Sequence, residues 1–243
     1  MRAYATVYPL GESPDSACRA IDAVLADPRF PVGALKLSAD PHWGVGPERV
    51  QALVARVRRH VGPSLELMFD AFECFPSVEV AAEIIPALVE AGFRWLEAPL
   101  PVDDMEGHGA LVGRGISIAA GDTGITAPAE WQPWLDHTGI DIVQPDIGWA
   151  GGFTGVMRIA AMAAAHDRRT VPHGWNTTIT LAANLHVHAA LGNDEPAEFS
   201  TSLLPLRWGA TREPIVVDPD GAMAVPDRPG LGVTLADGLL PPP

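Results

Sequence analysis

A single-domain α/β fold, specifically a TIM-type (β/α)7β barrel, is what this sequence predicts, and three observations predict it. Short apolar runs alternate with longer helix-periodic ones along most of the chain. Polar or charged residues close these apolar runs at a near-constant spacing: the steps through Asp70, Glu97, Asp122, Asp146, His173 and Glu198 are 27, 25, 24, 27 and 25 residues. The 243 residues, 47% of them hydrophobic, suffice for one sizeable core and match the roughly 250 residues typical of such a barrel.

The elements follow in order. "YATVY" (4–8) reads as the first strand and "SACRAIDAVLAD" (16–27) as a helix. "GALKL" (33–37) precedes the helix "ERVQALVARVRRHV" (48–61), and the strand "LELMFDAF" (65–72) precedes the helix "VEVAAEIIPALVEAG" (78–92), whose Pro86 removes one helical N–H. "FRWLEAPL" (93–100), "ISIAAGD" (116–122), "IDIVQPD" (140–146), "RTVPHG" (169–174) and "PAEFS" (196–200) are the further strands. Between them, "TAPAEWQPWLDHTG", "GFTGVMRIAAMAAAHD" and "TITLAANLHVHAALGN" have helical periodicity. Gly92, Gly139 and Gly192 mark helix ends. Strands separated by crossovers pair in parallel. Residues 1–205 make the barrel; residues 206–243, rich in Pro and Gly, read as a segment covering it.

Composition excludes several classes. Asp and Glu number 30 against 16 Lys and Arg, a formal net charge of -14, so the phosphate backbone of nucleic acid is repelled. No apolar run reaches the roughly 18 residues that would span a bilayer. The start, "MRAYATVYPLG", does not read as a secretory signal. Cys18 and Cys74 lie in no C-x-x-C pair, which points to reduced thiols and a cytoplasmic protein.

One βα unit per step delivers the phased residues, with Lys36 before them, to the C-terminal mouth of a barrel, where barrel active sites sit. Glu97 poses the sharpest question. It stands between Trp95–Leu96 and Pro99, at the end of a strand that reads as buried, and acids are rarely buried without a partner. Asp70, Glu97 and Asp122 come from three consecutive strands and repel one another in a low-dielectric site; a divalent cation relieves this, and hard oxygen donors suit Mg²⁺. The alternative is that Glu97 pairs with Arg94 or Lys36. Asp146 and His173 follow on the next two strands as a carboxylate–imidazole pair, one ring nitrogen held and the other left for general acid/base work. His186 and His188 read as packed or surface groups on a helix, and His42 and Trp43 as pocket-lining or solvated loop residues.

The stretches "LMFDAF", "WLEAPLP", "IAAGDT", "VQPDIGWAGGFTG", "VPHGW" and "DRPGLGV", in this order, resemble the enolase superfamily and within it the mandelate racemase subgroup. The resemblance implies Mg²⁺ on Asp70, Glu97 and Asp122, with Asp146 and His173 as the base dyad. It gives Glu198 a hydrogen bond to the substrate carboxylate, places Lys36, Ser38 and Trp175 at the substrate, and implies ene-diolate chemistry on a hydroxylated carboxylate. Three departures shape the expected activity. Where the subgroup often has Lys-x-Lys, this chain has "LKLS", so Ser38 stands in place of a second base. Asp122 replaces the usual Glu. The chain also begins at the first barrel strand, without the capping domain, which is expected to be absent, lost or supplied by another chain; a homo-oligomer or a cap-bearing partner follows. One base suits a sugar-acid dehydratase. A racemase or epimerase of a 2-hydroxy acid, and a non-catalytic truncated barrel or partner subunit, are the alternatives.

Overall fold

The structure, a computed structural model, describes residues 1–8, 13–39 and 46–239; His42 and Trp43 lie outside them. Its strands are β1 (Ala3–Val7), β2 (Ala34–Ser38), β3 (Glu66–Asp70), β4 (Phe93–Glu97), β5 (Ser117–Ala120), β6 (Ile142–Val143), β7 (Arg169–Thr170) and β8 (Ala197–Ser200). All neighbouring pairs are parallel, in the order β8-β1-β2-β3-β4-β5-β6-β7. Each crossover carries a helix: α1 (Pro14–Ala26), α2 (Pro47–Val61), α3 (Val78–Glu90), α4 (Met105–Leu111), α5 (Pro128–His137), α6 (Gly152–Ala165) and α7 (Thr178–Leu191). A short α8 (Pro205–Gly209) follows β8, at the start of the segment expected to be only a cover.

Local chemistry accounts for these elements. In α2 the buried residues are Val50, Leu53, Val54 and Val57, the i, i+3, i+4, i+7 stripe of an amphipathic helix, and Arg58, Arg59 and His60 fill the last turn, where cations complement the helix dipole. Ser13 and Ser16 cap α1 reciprocally. The helices α3 and α5 run through Pro86 and Pro133, each giving up one donor. The strands β6 and β7 are shorter than the extended runs 140–146 and 169–174 suggest, because Pro145 and Pro172 interrupt the row of ladder donors. Helix α4 was not expected from the pattern; its glycines weaken the signal, and it starts on the Asp104 carboxylate, which accepts from Gly107 N–H at 2.8 Å.

The sheet curls as in a TIM-type barrel. Tyr4, Ala34, Met68, Trp95, Ala119, Ile142 and Val171, one residue from each strand β1–β6 and one just past β7, form a separate buried cluster inside the curl. The larger core lies between the sheet and its helices. Among the described residues, side chains tie the region between β7 and β8. Glu195 takes Arg169 Nη1 on one oxygen at 3.0 Å and Arg94 Nη2 on the other at 2.6 Å, and Asn193 Nδ2 donates to Thr170 O at 3.1 Å. Beyond α8, Ile215, Val217 and Met223 are buried, and the Met1 ammonium donates to Met223 O at 2.9 Å.

Candidate active site

Two of the phased residues sit inside strands and not at their ends: Lys36 is central in β2 and Glu198 is second in β8. They still reach the others because strands of a barrel are staggered, so equal heights fall at unequal positions. Thr6 lies beside Lys36, and Ser38, Asp70 and Glu97 lie side by side across β2, β3 and β4. Asp122, Asp146 and His173 stand just past β5, β6 and β7, and the last two form a parallel bridge of their own. The backbone is left-handed at Phe72, Glu73 and Ala98 (φ 50°, 58° and 42°), immediately beyond β3 and β4, so strain is concentrated beside the site.

Glu97 is fully buried, and all its partners are identifiable. One oxygen pairs with the Lys36 ammonium; the other accepts from Trp95 Nε1 at 3.0 Å and Gln144 Nε2 at 2.8 Å. Arg94, the other candidate partner, instead faces Glu66 and Glu195. Lys36 Nζ also lies 3.1 Å from Glu198 Oε1 and 3.9 Å from Asp70 Oδ2. Ser38 Oγ donates to Asp70 Oδ2 at 3.2 Å, so its proton is committed to a buried carboxyl.

The dyad is formed. His173 Nδ1 meets Asp146 Oδ2 at 2.8 Å, and the same oxygen accepts from Asn176 Nδ2 at 3.0 Å while Oδ1 accepts from Gly148 N–H at 2.7 Å. With Nδ1–H donated, Nε2 faces Glu198 Oε2 at 3.9 Å. Burial works against the imidazolium, but Asp146 and Glu198 outweigh it and raise His173 to about 9. Burial likewise works against the Glu198 carboxylate, yet Lys36, His173, Thr6 and the Gly174 N–H hold it at about 2, so Glu198 is ionised and accepts hydrogen bonds. Gly174 permits this approach: its N–H reaches Glu198 Oε2 at 2.8 Å, and a Cβ there would meet Asn184 Nδ2 at 2.9 Å.

These groups open on one cavity of about 170 Å³, where Lys36, Asp70, Asp122, Asp146, His173 and Glu198 stand beside the neutral Thr6, Thr123 and Asn176. Tyr8, Phe72, Trp149 and Trp175 supply aromatic walls, Trp175 edge-on to Tyr8 at 4.9 Å. Ser38 and Glu97 lie behind this lining, and His186 and His188 belong to α7, away from it. Sequence reasoning missed Thr6, Gln144 and Asn176. Thr6 alternates with Tyr4 and Tyr8 along β1, a period-2 signal of one shared face; Gln144 has the same spacing before Asp146, and Asn176 carried no signal.

The donor chemistry fits Mg²⁺. Burial and then the Glu97 charge push Asp70 up to about 8 and Asp122 up to about 6, so these two carboxyls resist ionising together until a further cation joins them. The present side-chain arrangement does not gather them: among the described residues no three His, Cys, Asp or Glu groups surround one point.

The family described as enolase C-terminal domain-like matches residues 19–239. The chain is 33% identical over 201 residues to the D-galactarolactone cycloisomerase of Agrobacterium fabrum (strain C58 / ATCC 33970), covering 79% of this chain and 52% of that protein. It is 32% identical over 213 residues to the L-rhamnonate dehydratase of Saccharopolyspora erythraea, covering 84% and 53%. A crystal structure of a mandelate racemase/muconate lactonizing protein from Paracoccus denitrificans PD1222, complexed with magnesium, superposes with a TM-score of 0.86 at 26% identity, over 98% of this chain and 64% of that one. The chain thus spans about half the length of the curated relatives it matches.

Proposed function

The chain belongs to the enolase C-terminal domain-like family, and from that premise we propose that it is a Mg²⁺-dependent lyase of the sugar-acid type, a dehydratase that removes the α-proton of a hydroxylated carboxylate. One observation carries the reading: the Asp146–His173 pair faces the cavity that Lys36, Glu198, Asp70 and Asp122 also line.

Asp70, Glu97 and Asp122 would hold the Mg²⁺, and the metal supplies a fixed positive charge that acidifies the α-proton of a bound 2-hydroxy acid. Asp146 fixes the His173 tautomer, and Nε2, once the ring has given up the proton it holds below about pH 9, takes the α-proton as the C–H bond breaks. The C3–O bond then breaks and the same imidazolium gives its proton to the departing hydroxyl, which leaves as water. The enol that remains becomes a 2-keto-3-deoxy acid. Lys36 neutralises the substrate carboxylate. Glu198, ionised in the free site, donates to that carboxylate only once it has taken up a proton. Trp175 bounds the substrate space, with Ser38 behind the lining on Asp70. With Ser38, a poor base, where the subgroup often has a second lysine, protons move on one face only, which favours elimination over racemisation. The match to a cycloisomerase supports a second reading, in which the same base serves an intramolecular ring rearrangement.

We further propose that residues 1–205 form a single-domain barrel and that 206–243 are laid over it. We propose a cytoplasmic location; no helix among the described residues is long and apolar enough to cross a membrane. A second copy or a cap-bearing chain covers the mouth, where Trp149 is 63% and Leu203 82% exposed and Phe72 and Leu204 are exposed beside them.

Incubation with Mg²⁺ and a panel of sugar acids tests the activity. A 2-keto-3-deoxy product, read with carbonyl reagents, is expected; interconversion of C2 epimers at comparable rates overturns the dehydratase assignment.

A further inference from the structure

Lys36 is the only lysine in the 243 residues; Arg supplies every other permanent side-chain cation. That one lysine is 1% exposed, with its ammonium 5.6 Å from the Tyr4 ring centre and surrounded by Glu97, Glu198 and Asp70. Both oxygens of Glu97 are engaged. Its Oε2 is held by Trp95 and Gln144, two neutral donors buried in the barrel, and its Oε1 by the ammonium. Of these three contacts, only the ammonium is a charge that another cation can replace like for like.

We propose that Lys36 is a built-in counter-cation of Glu97 that a divalent metal must displace, its ammonium passing wholly to Glu198. This rests on the reading of Glu97 as a metal ligand. The new seat is within reach, because Glu198 Oε1 already lies 3.1 Å from Nζ. The residue type matters: a lysine head is a compact charge on a flexible stem and can pivot between two carboxylates, whereas a planar guanidinium would lock onto one of them. Metal affinity then measures the difference between two cations competing for one carboxylate. Arrival of the metal also aims the ammonium at the wall of the cavity that Glu198 shares with His173.

Calorimetric titration of the full chain with MgCl₂ alone, wild type against Lys36→Met, tests this without any turnover. The neutral side chain of similar length leaves Glu97 uncontested and removes a charge that opposes the ion, so Mg²⁺ should bind about tenfold tighter or better to the variant. Equal or weaker binding in the variant overturns the counter-cation role and leaves the metal reading intact. Absence of heat in both proteins overturns the metal reading and this inference with it. Removing the ammonium leaves buried carboxylates unpaired and can unfold the variant, so a second measurement uses the wild-type protein. Labelling with ¹³C,¹⁵N-lysine gives one ε-CH₂–NH₃⁺ signal. It should shift as Mg²⁺ saturates the protein; an unmoved signal, with binding heat observed, overturns the proposal.

Discussion

Replacing Asp146 by Asn tests the dyad through the protonation of its partner. In the wild type, His173 titrates at about 9 against an ordinary value near 6.5, with Asp146 as the largest raising influence and Glu198 next. The sign follows from linkage. A raised folded value means that the imidazolium stabilises the fold fully below pH 6.5 and loses that contribution as pH climbs through 9. A difference of about 2.5 units corresponds to about 3 kcal/mol. An amide in place of the carboxylate keeps the shape but removes the charge, so His173 should titrate at least about one unit lower. The assay is the ¹H–¹³C signal of the His173 ring followed from pH 5 to 10 in chelator-treated protein, assigned with His173→Asn. Urea unfolding at pH 6.5 and 9 gives the matching stability difference, which the Asn variant should reduce. A wild-type His173 titrating at or below 6.5, or one unmoved by Asp146→Asn, would show that Asp146 does not set its protonation.

Other consequences are open to measurement. Both ring nitrogens of buried His188 lack partners, and burial pushes the ring down to about 4, so the fold loses stability as pH falls from 6.5 towards 4. His188→Leu should gain on the wild type by about 2 kcal/mol at pH 5, beyond any difference at pH 7; parallel unfolding curves at the two pH values would contradict this. Glu97→Gln should weaken Mg²⁺ binding at least about tenfold by calorimetry, since a neutral amide cannot balance the ion, and unchanged affinity removes Glu97 from the ligand set. The apolar mouth predicts self-association in ultracentrifugation, whereas a strict monomer at high concentration counts against a covered mouth.

Much of this was legible in the residues because a βα unit has a nearly fixed length. The step of 24 to 27 residues carries Asp70, Glu97, Asp122, Asp146, His173 and Glu198 to one end of the sheet whatever the helices between them do. The Asp146–His173 contact needed no more than adjacent strands. Two features resist such reading. Strand stagger is a property of the closed sheet, so nothing local marks Lys36 and Glu198 as mid-strand residues that still face the site. The partners of Glu97 depend on side-chain direction: Arg94, three positions before it in β4, faces the opposite end of the barrel, while Lys36, 61 residues away, meets it. Asn176 was invisible because an Asn in a loop after a strand is ordinary turn chemistry until its amide is seen on Asp146.

The most direct measurement is exchange of the substrate α-proton with D₂O, in the presence of Mg²⁺, across a panel of sugar acids. The wild-type chain should show exchange and His173→Asn none, with Mg²⁺ binding nearly unchanged because His173 is not a proposed ligand. Exchange that persists in His173→Asn, or no exchange by the wild type with any acid even when a cap-bearing chain is supplied, contradicts this expectation.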